Sequence, residues 1–365
     1  FVSGYVNVNR PDPESAQGFP NSYEGVRDLL YLSEGPGADG RVTFREVGER
    51  LGVDPDADYG LGALFTDVDR DHDLDLYVAN DTNPSRLYLN EPGSGDDPGR
   101  LGFSLREVGT EAAVADAGSA MGVAGDDYNG DGRGDLYVTN LAGQPPALFV
   151  NRTRRGAPTF TDGLPTFGDE APNGSRTGWG TTFVDLDLDT DLDLLVANGA
   201  IPIVDLGLDA ETIGAYGNLA ADGTPGRFED IGAAVGVEAL GPLNARGLAV
   251  ADFDNDGDVD VAVNVVGSPL VLLENQGADG NWLEVASADF SPGAAVTVRL
   301  ADGRHFRREL RAGSSYLSSE DPRAHFGLGP ATRVAEVRVR WPDGRSTVVE
   351  DVAANQILTI GEELR

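Results

Sequence analysis

The most regular feature of the chain is a short apolar run, a crowd of acidic residues and a second apolar run, met four times. Gly247-Leu-Ala-Val-Ala251 leads into Asp252-Phe-Asp254-Asn-Asp256-Gly257-Asp258-Val-Asp260, and Val261-Ala-Val263 follows at once. The same order recurs at Asp67-x-Asp69-x-Asp71-His72-Asp73-x-Asp75 before Leu76-Tyr77-Val78-Ala79. It recurs again at Asp127-x-Asn129-x-Asp131-Gly132-Arg133-x-Asp135 before Leu136-Tyr137-Val138-Thr139. The last copy is Asp185-x-Asp187-x-Asp189-Thr190-Asp191-x-Asp193, before Leu194-Leu195-Val196-Ala197. The flanking runs are short and rich in β-branched residues, which is strand chemistry, so each acidic stretch reads as the turn of a hairpin. The first aspartates lie 60, 58 and 67 residues apart, and self-similarity at a long period signals stacked units.

Each unit offers two more strands. The third ends in Asn, as in Leu87-Tyr88-Leu89-Asn90, Leu148-Phe149-Val150-Asn151, a weaker Tyr216-Gly217-Asn218, and Leu272-Leu273-Glu274-Asn275. A Gly-rich turn then leads to a fourth strand around Phe44, Phe103, Phe160 or Phe228. Recurrence once per unit assigns these aromatics to the core rather than to a ligand groove. Four short strands per unit of about 60 residues predict an all-β protein, a β-propeller of four-stranded blades. The repeats span approximately 1–50, 60–110, 120–165, 178–232 and 246–280, so the propeller occupies 1–280. A further aromatic strand is due at Asn281-Trp282-Leu283-Glu284-Val285.

The opening Phe1-Val2-Ser3-Gly4 reads like Tyr77-Val78-Ala79-Asn80. The chain is therefore expected to start inside a repeat, with an initiator Met, any signal peptide and at least one acidic loop missing. An unpaired strand edge left this way would favour aggregation.

Carboxylates a few Å apart repel strongly and require a counter-ion. A hard divalent cation answers this, since calcium takes six to eight oxygen ligands. The EF-hand is excluded: position 12 is Val78, Val138, Val196 or Val263 where that motif needs Glu, and a strand follows instead of a helix.

An Asp-x-Asp/Asn-x-Asp-x-x-x-Asp loop between two strands resembles the calcium loops of FG-GAP (VCBS) repeats, the blades of integrin α-type propellers. The resemblance implies side-chain ligands at positions 1, 3, 5 and 9 and a backbone carbonyl at position 7. These are Asp67, Asp69, Asp71, Asp75 and the carbonyl of Asp73; Asp127, Asn129, Asp131, Asp135 and that of Arg133; Asp185, Asp187, Asp189, Asp193 and that of Asp191; and Asp252, Asp254, Asp256, Asp260 and that of Asp258. About four Ca2+ ions are expected. His72 and Thr190 replace the turn glycine, which makes the backbone harder to close. Asn129 and Arg133 lower the charge of the second loop, which is expected to bind most weakly.

After Asn275 the periodicity ends. Asn281-Trp-Leu-Glu-Val285, Gly313-x-x-Tyr316-Leu-Ser318, His325-Phe-Gly-Leu-Gly329 and Trp341-Pro-Asp-Gly344 are similar, in this order, to the ASPIC/UnbV domain. That domain follows FG-GAP repeats in cartilage acidic protein relatives, a family also common in bacteria. Asp-Gly turns between alternating runs predict a small antiparallel β domain over 281–365. Phe290-Ser-Pro-Gly-Ala-Ala295 departs from the family pattern.

Composition narrows the function. The net charge of −34 argues against nucleic acid and anionic membranes, and no apolar run approaches the roughly 20 residues of a membrane span. Cysteine is absent and all 27 basic residues are Arg. Of the three histidines, His72 is expected to point to solvent, His305 lies in a basic strand, and His325 is expected to make a structural hydrogen bond. No Ser-His-Asp order, zinc spacing or phosphate loop stands out. The aspartate pairs are already assigned to metal, so they are not read as acid/base catalysts.

The expected protein is therefore not an enzyme. It is a calcium-binding extracellular, cell-surface or periplasmic protein that meets a protein or glycan partner, and its calcium is structural. Long connections Tyr5 to Asp28 and Asn198 to Ala215 put the partner on the face opposite the acidic loops. The alternatives are a lyase-like polysaccharide-active enzyme, which a convergence of Arg, Tyr and His on that face would favour, and a biosynthetic accessory protein.

Overall fold

Each pair of apolar runs closes into an antiparallel hairpin around its acidic turn. The computed structural model describes residues 1–12, 18–93, 101–154, 156–164, 174–220, 226–277 and 279–361. A hairpin of β1 (Val6–Pro11) and β2 (Tyr23–Gly25) forms the first long connection, whose residues 13–17 lie outside the described residues. β3 (Tyr31–Pro36) and β4 (Val42–Glu46) pair next, and Val2 bridges to Leu29 alongside them.

Three complete blades follow. They are β5 (Gly60–Thr66), β6 (Asp75–Asn80), β7 (Arg86–Pro92) and β8 (Phe103–Glu107); β9 (Ala120–Asp126), β10 (Asp135–Asn140), β11 (Ala147–Asn151) and β12 (Phe160–Asp162); and β13 (Gly178–Val184), β14 (Asp193–Asn198), β15 (Gly214–Asn218) and β16 (Phe228–Asp230). The next unit has three strands, β17 (Ala245–Ala251), β18 (Asp260–Val265) and β19 (Val271–Leu273).

The blades stack in order through their innermost strands β5, β9, β13 and β17, as in a propeller. Close approach demands glycine five residues before each first loop aspartate. A Cβ on Gly122 would lie 1.9 Å from the Trp179 carbonyl oxygen of the next blade, and one on Gly62 would lie 2.4 Å from that of Met121. The fourth-strand aromatics fill the spaces between blades, with Phe160 and Phe228 3% and 2% exposed. Phe44 departs from the core expectation: it is 63% exposed, because no blade covers that side of β4 among the described residues.

The C-terminal domain contains β20 (Asn281–Ser287), β21 (Ala295–Arg299), β22 (His305–Glu309), β23 (Ala324–Gly329), β24 (Arg333–Arg340), β25 (Ser346–Ala353) and β26 (Ile357–Ile360). Its sheets run β22-β21-β24-β25 and β23-β20-β26, and they enclose one core around Trp341, Phe326 and Leu283. Two expectations are corrected here. The strand around Trp282 does not complete the fifth blade, because Asn281–Ser287 pairs with β23 and β26 instead. The domain is also not wholly antiparallel, since β26 runs parallel to β20. The divergent Phe290–Ala295 stretch is a turn with Phe290 and Gly293 at φ 36° and 89°.

A segment of this domain enters the hub of the propeller. Ser315 exchanges backbone hydrogen bonds of 2.8 and 3.1 Å with Val123, and its Oγ accepts from the Thr181 N–H at 2.9 Å. The Asp321 N–H donates to the Val250 carbonyl at 3.1 Å. Beside Gly247, where another inner strand would lie, the neighbours are Tyr316 and Ser318.

Candidate metal centres

Each acidic loop winds around its first aspartate. Asp127 accepts the N–H groups of Asp131 and Gly132 at 2.9 and 2.7 Å. Asp252 accepts those of Asp256 and Gly257 at 3.1 and 3.0 Å, and Asp185 that of Thr190 at 3.1 Å. To close, the loop turns left-handed at positions 4 and 6 in all four copies: Arg70 and His72, Gly130 and Gly132, Leu188 and Thr190, Asn255 and Gly257. His72 and Thr190 hold φ values of 84° and 95°, a conformation disfavoured for any residue with a Cβ and most for a β-branched one.

Three loops gather carboxylates. Asp67, Asp69 and Asp71 bring ligand oxygens within 4.8 Å of one another, as do Asp185, Asp187 and Asp189, and Asp252, Asp254 and Asp260. Oδ1 of Asp67 and Oδ1 of Asp185 are buried without a hydrogen-bond partner. An all-oxygen donor set with orphaned buried oxygens fits a hard cation.

The ninth aspartates stand behind these groups as clamps. Asp75 accepts from the Val68 and Asn90 N–H groups at 3.0 and 2.9 Å, and Asp193 from those of Leu186 and Asn218 at 3.1 and 2.9 Å. Asp260 accepts from Phe253 and Asn275 at 3.1 and 2.8 Å, and it also joins its ligand group. Asp73, Asp191, Asp256 and Asp258 fall outside the three groups.

The second loop differs. The Arg133 guanidinium pairs with the Asp131 carboxylate, Arg152 lies 3.8 Å from it, and the Asn129 amide donates to Asp135 at 2.8 Å. This loop supplies its own cations.

Burial without a counter-ion shapes the electrostatics. It pushes Asp67 and Asp127 up to about 6 and Asp75 up to about 8, and holds Asp135, Asp185 and Asp193 well above the ordinary carboxylate range. In every case desolvation leads; Glu309 adds to it at Asp67, and neighbouring aspartates add to it at the other five.

The C-terminal domain covers this face of the propeller. Arg307 lies 3.6 Å from Asp67, Arg308 and Arg311 lie 3.8 and 3.5 Å from Asp126, and Arg304 donates to Thr190 Oγ1 at 3.2 Å. Arg323 donates to the Asp252 carbonyl and to Asn255, both at 2.8 Å, and pairs with buried Glu284 at 2.5 Å. His325 makes the expected structural hydrogen bond, its Nε2 donating to the Gly257 carbonyl at 2.9 Å. Burial lowers its pKa to about 4, so the ring is neutral. His72 does not point clear of the protein. It is 38% exposed, and Nδ1 turns back to within 3.6 Å of Asp67.

Sequence reasoning missed this cover. The signal was the cluster Arg304, Arg307, Arg308 and Arg311, which an acidic protein would not gather in eight residues without partners.

Comparison with known proteins agrees with these features. Residues 67–138, which hold the first two loops, match the FG-GAP-like repeat family, and residues 285–364 match the ASPIC and UnbV family. It is 28% identical to mouse cartilage acidic protein 1 over 345 residues, covering 89% of this chain and 48% of that protein. The human protein is 27% identical over 335 residues, covering 89% and 47%. The chain thus spans about half the length of the curated relatives it matches. A solved structure of the Dos1 propeller aligns at 10% identity over 90% of this chain and 75% of that one, with a TM-score of 0.33, too low to bear on the fold. Among the described residues, no helix is long and apolar enough to cross a membrane.

Proposed function

We propose that this FG-GAP-like chain is a calcium-stabilised binding module of the extracellular, cell-surface or periplasmic space, in which calcium holds structure and performs no chemistry. The three carboxylate groups within 4.8 Å, with the orphaned oxygens of Asp67 and Asp185, carry this reading. Asp67, Asp69 and Asp71, Asp185, Asp187 and Asp189, and Asp252, Asp254 and Asp260 would hold the ions, and the second loop is the weakest site. All-oxygen loops of this kind suit millimolar extracellular calcium, and ion binding to the folded chain adds to folding stability.

The ASPIC and UnbV domain covers the loop face, so the protein or glycan partner meets the opposite face. There Tyr5 stacks edge-on against Phe19 and Tyr59 at 5.7 and 6.1 Å, and its hydroxyl donates to Asp81 at 2.6 Å. Calcium stoichiometry of Asp185→Asn and Asp252→Asn tests the reading: each variant should lose about one ion, and an unchanged count sinks it.

One observation favours the polysaccharide-active alternative. Tyr316 lies against Trp179 at 4.9 Å, and Arg246 covers the same ring at 4.1 Å. However, Arg246 spends its N–H groups on the carbonyls of Gly199, Ala245 and Ala200, which makes it a rim support. Turnover of a polysaccharide that Tyr316→Phe abolishes would establish the alternative.

A further inference from the structure

Among the described residues, the unit β17-β18-β19 lacks the fourth strand that the three complete blades possess. We propose that the empty position is a strand-docking slot for an extended segment of another polypeptide, one that brings an aromatic side chain and basic flanks.

The complete blades show what belongs there. Phe160 pairs directly opposite Asn151, and Phe228 opposite Asn218. Both asparagines donate their N–H to a ninth loop aspartate, at 2.7 and 2.9 Å, and Asn275 does the same to Asp260 at 2.8 Å. Asn275 therefore occupies the same register position, with no strand opposite it among the described residues.

The Phe160 N–H donates to the Ala112 carbonyl of the preceding blade at 3.0 Å. Ala112 is itself bonded to Val108 at 2.8 Å, as Val235 is to Ile231 at 3.0 Å, so the Val235 carbonyl is the matching acceptor. The ring of Phe228 meets Tyr128, at the second position of its neighbouring loop, at 5.5 Å; Leu186 holds that second position beside the open slot.

Here lies a groove of about 560 Å³, lined by Leu186, Val235, Val237, Val261, Leu273 and Asn275. Val235 is 45% exposed, whereas Ala112, under its strand, is fully buried. Addition of a strand to an open sheet edge supplies main-chain hydrogen bonds, and a pocket for one side chain supplies selectivity. Asp187 and Glu274 also line the groove, and the chain carries a net charge of −34, so the donor should carry basic residues beside its aromatic.

A labelled peptide with the sequence of residues 226–232, Gly-Arg-Phe-Glu-Asp-Ile-Gly, is the probe. Titrated into the calcium-loaded full chain, it should bind saturably, and more tightly when its two acidic residues are replaced by Arg. Replacing its Phe by Ala, or making Val235→Glu in the protein, should weaken binding by about tenfold or more. An unchanged melting temperature for Val235→Glu keeps that comparison valid. Absence of binding, or binding indifferent to both changes, overturns the proposal. Concentration-dependent dimerisation without peptide, abolished by Val235→Glu, would assign the slot to a second copy and overturn it equally.

Discussion

The side-chain amide of Asn151 donates to the carbonyl of Val68, 2.8 Å away in the acidic loop of the neighbouring blade. The bond recurs from Asn218 to Tyr128 at 2.8 Å and from Asn275 to Leu186 at 2.9 Å. The asparagine at the end of the third strand in these three units thus ties its blade to the loop of the preceding one, while its N–H holds the ninth aspartate of its own loop.

Loss of this tie leaves a buried carbonyl without its partner. Asn151→Ala should destabilise the chain by about 1–3 kcal/mol, read from urea unfolding. A change indistinguishable from zero would mean that the blades are joined by apolar packing alone.

The left-handed turn positions give a prediction of opposite sign. His72→Gly relieves a backbone conformation that costs an L-residue about 1–2 kcal/mol, and should raise stability. Thr190→Gly gains less, because it also removes the acceptor of the Arg304 bond. A destabilised His72→Gly would show that its contact with Asp67 outweighs the strain.

Arg323 joins the two domains, since it pairs with buried Glu284 and holds the Asp252 carbonyl. Arg323→Met strands the carboxylate and should cost about 3–5 kcal/mol. The double variant with Glu284→Gln should recover most of the loss. Equal stability of the single and double variants would refute the pairing as the cause.

The acidic loops were legible because their chemistry is local: in three of them five carboxylates at alternate positions declare themselves within nine residues. The third-strand asparagines and the core aromatics Phe160 and Phe228 followed from the period. What was not legible depends on residues far apart in the chain. Arg307 reads as an ordinary strand residue until Asp67 is placed beside it. Trp282 continues the aromatic spacing, yet pairing with Gly327 and the parallel partner β26 outcompete the blade for its strand. Leu188, an apolar residue inside an acidic loop, is buried against Gly280 and Gly327, a contact that only the fold brings together.

Calcium opposes protonation in the first loop, at the Asp67 ligand directly and at the Asp75 clamp through its charge. Asp67 and Asp75, raised by burial to about 6 and 8 from the ordinary 3.8, keep protons in the folded, metal-free chain that the unfolded chain has already released. The chelated chain should therefore lose stability as pH rises from 4 to 8. Calcium affinity should rise over the upper part of that window, because the bound cation displaces the Asp67 proton and its charge disfavours the one on Asp75. An affinity flat between pH 6 and 8 would contradict the protonation of these carboxyls.

Thermal unfolding in millimolar calcium and again in excess chelator tests the central claim most directly. An ion bound only by the folded chain must raise the melting temperature. The account predicts a large drop on chelation, restored by added calcium, with a smaller response in Asp185→Asn and Asp252→Asn. A melting curve that chelator leaves unchanged would contradict it, and would make the carboxylate groups acidic turns that the arginines of the C-terminal domain suffice to neutralise.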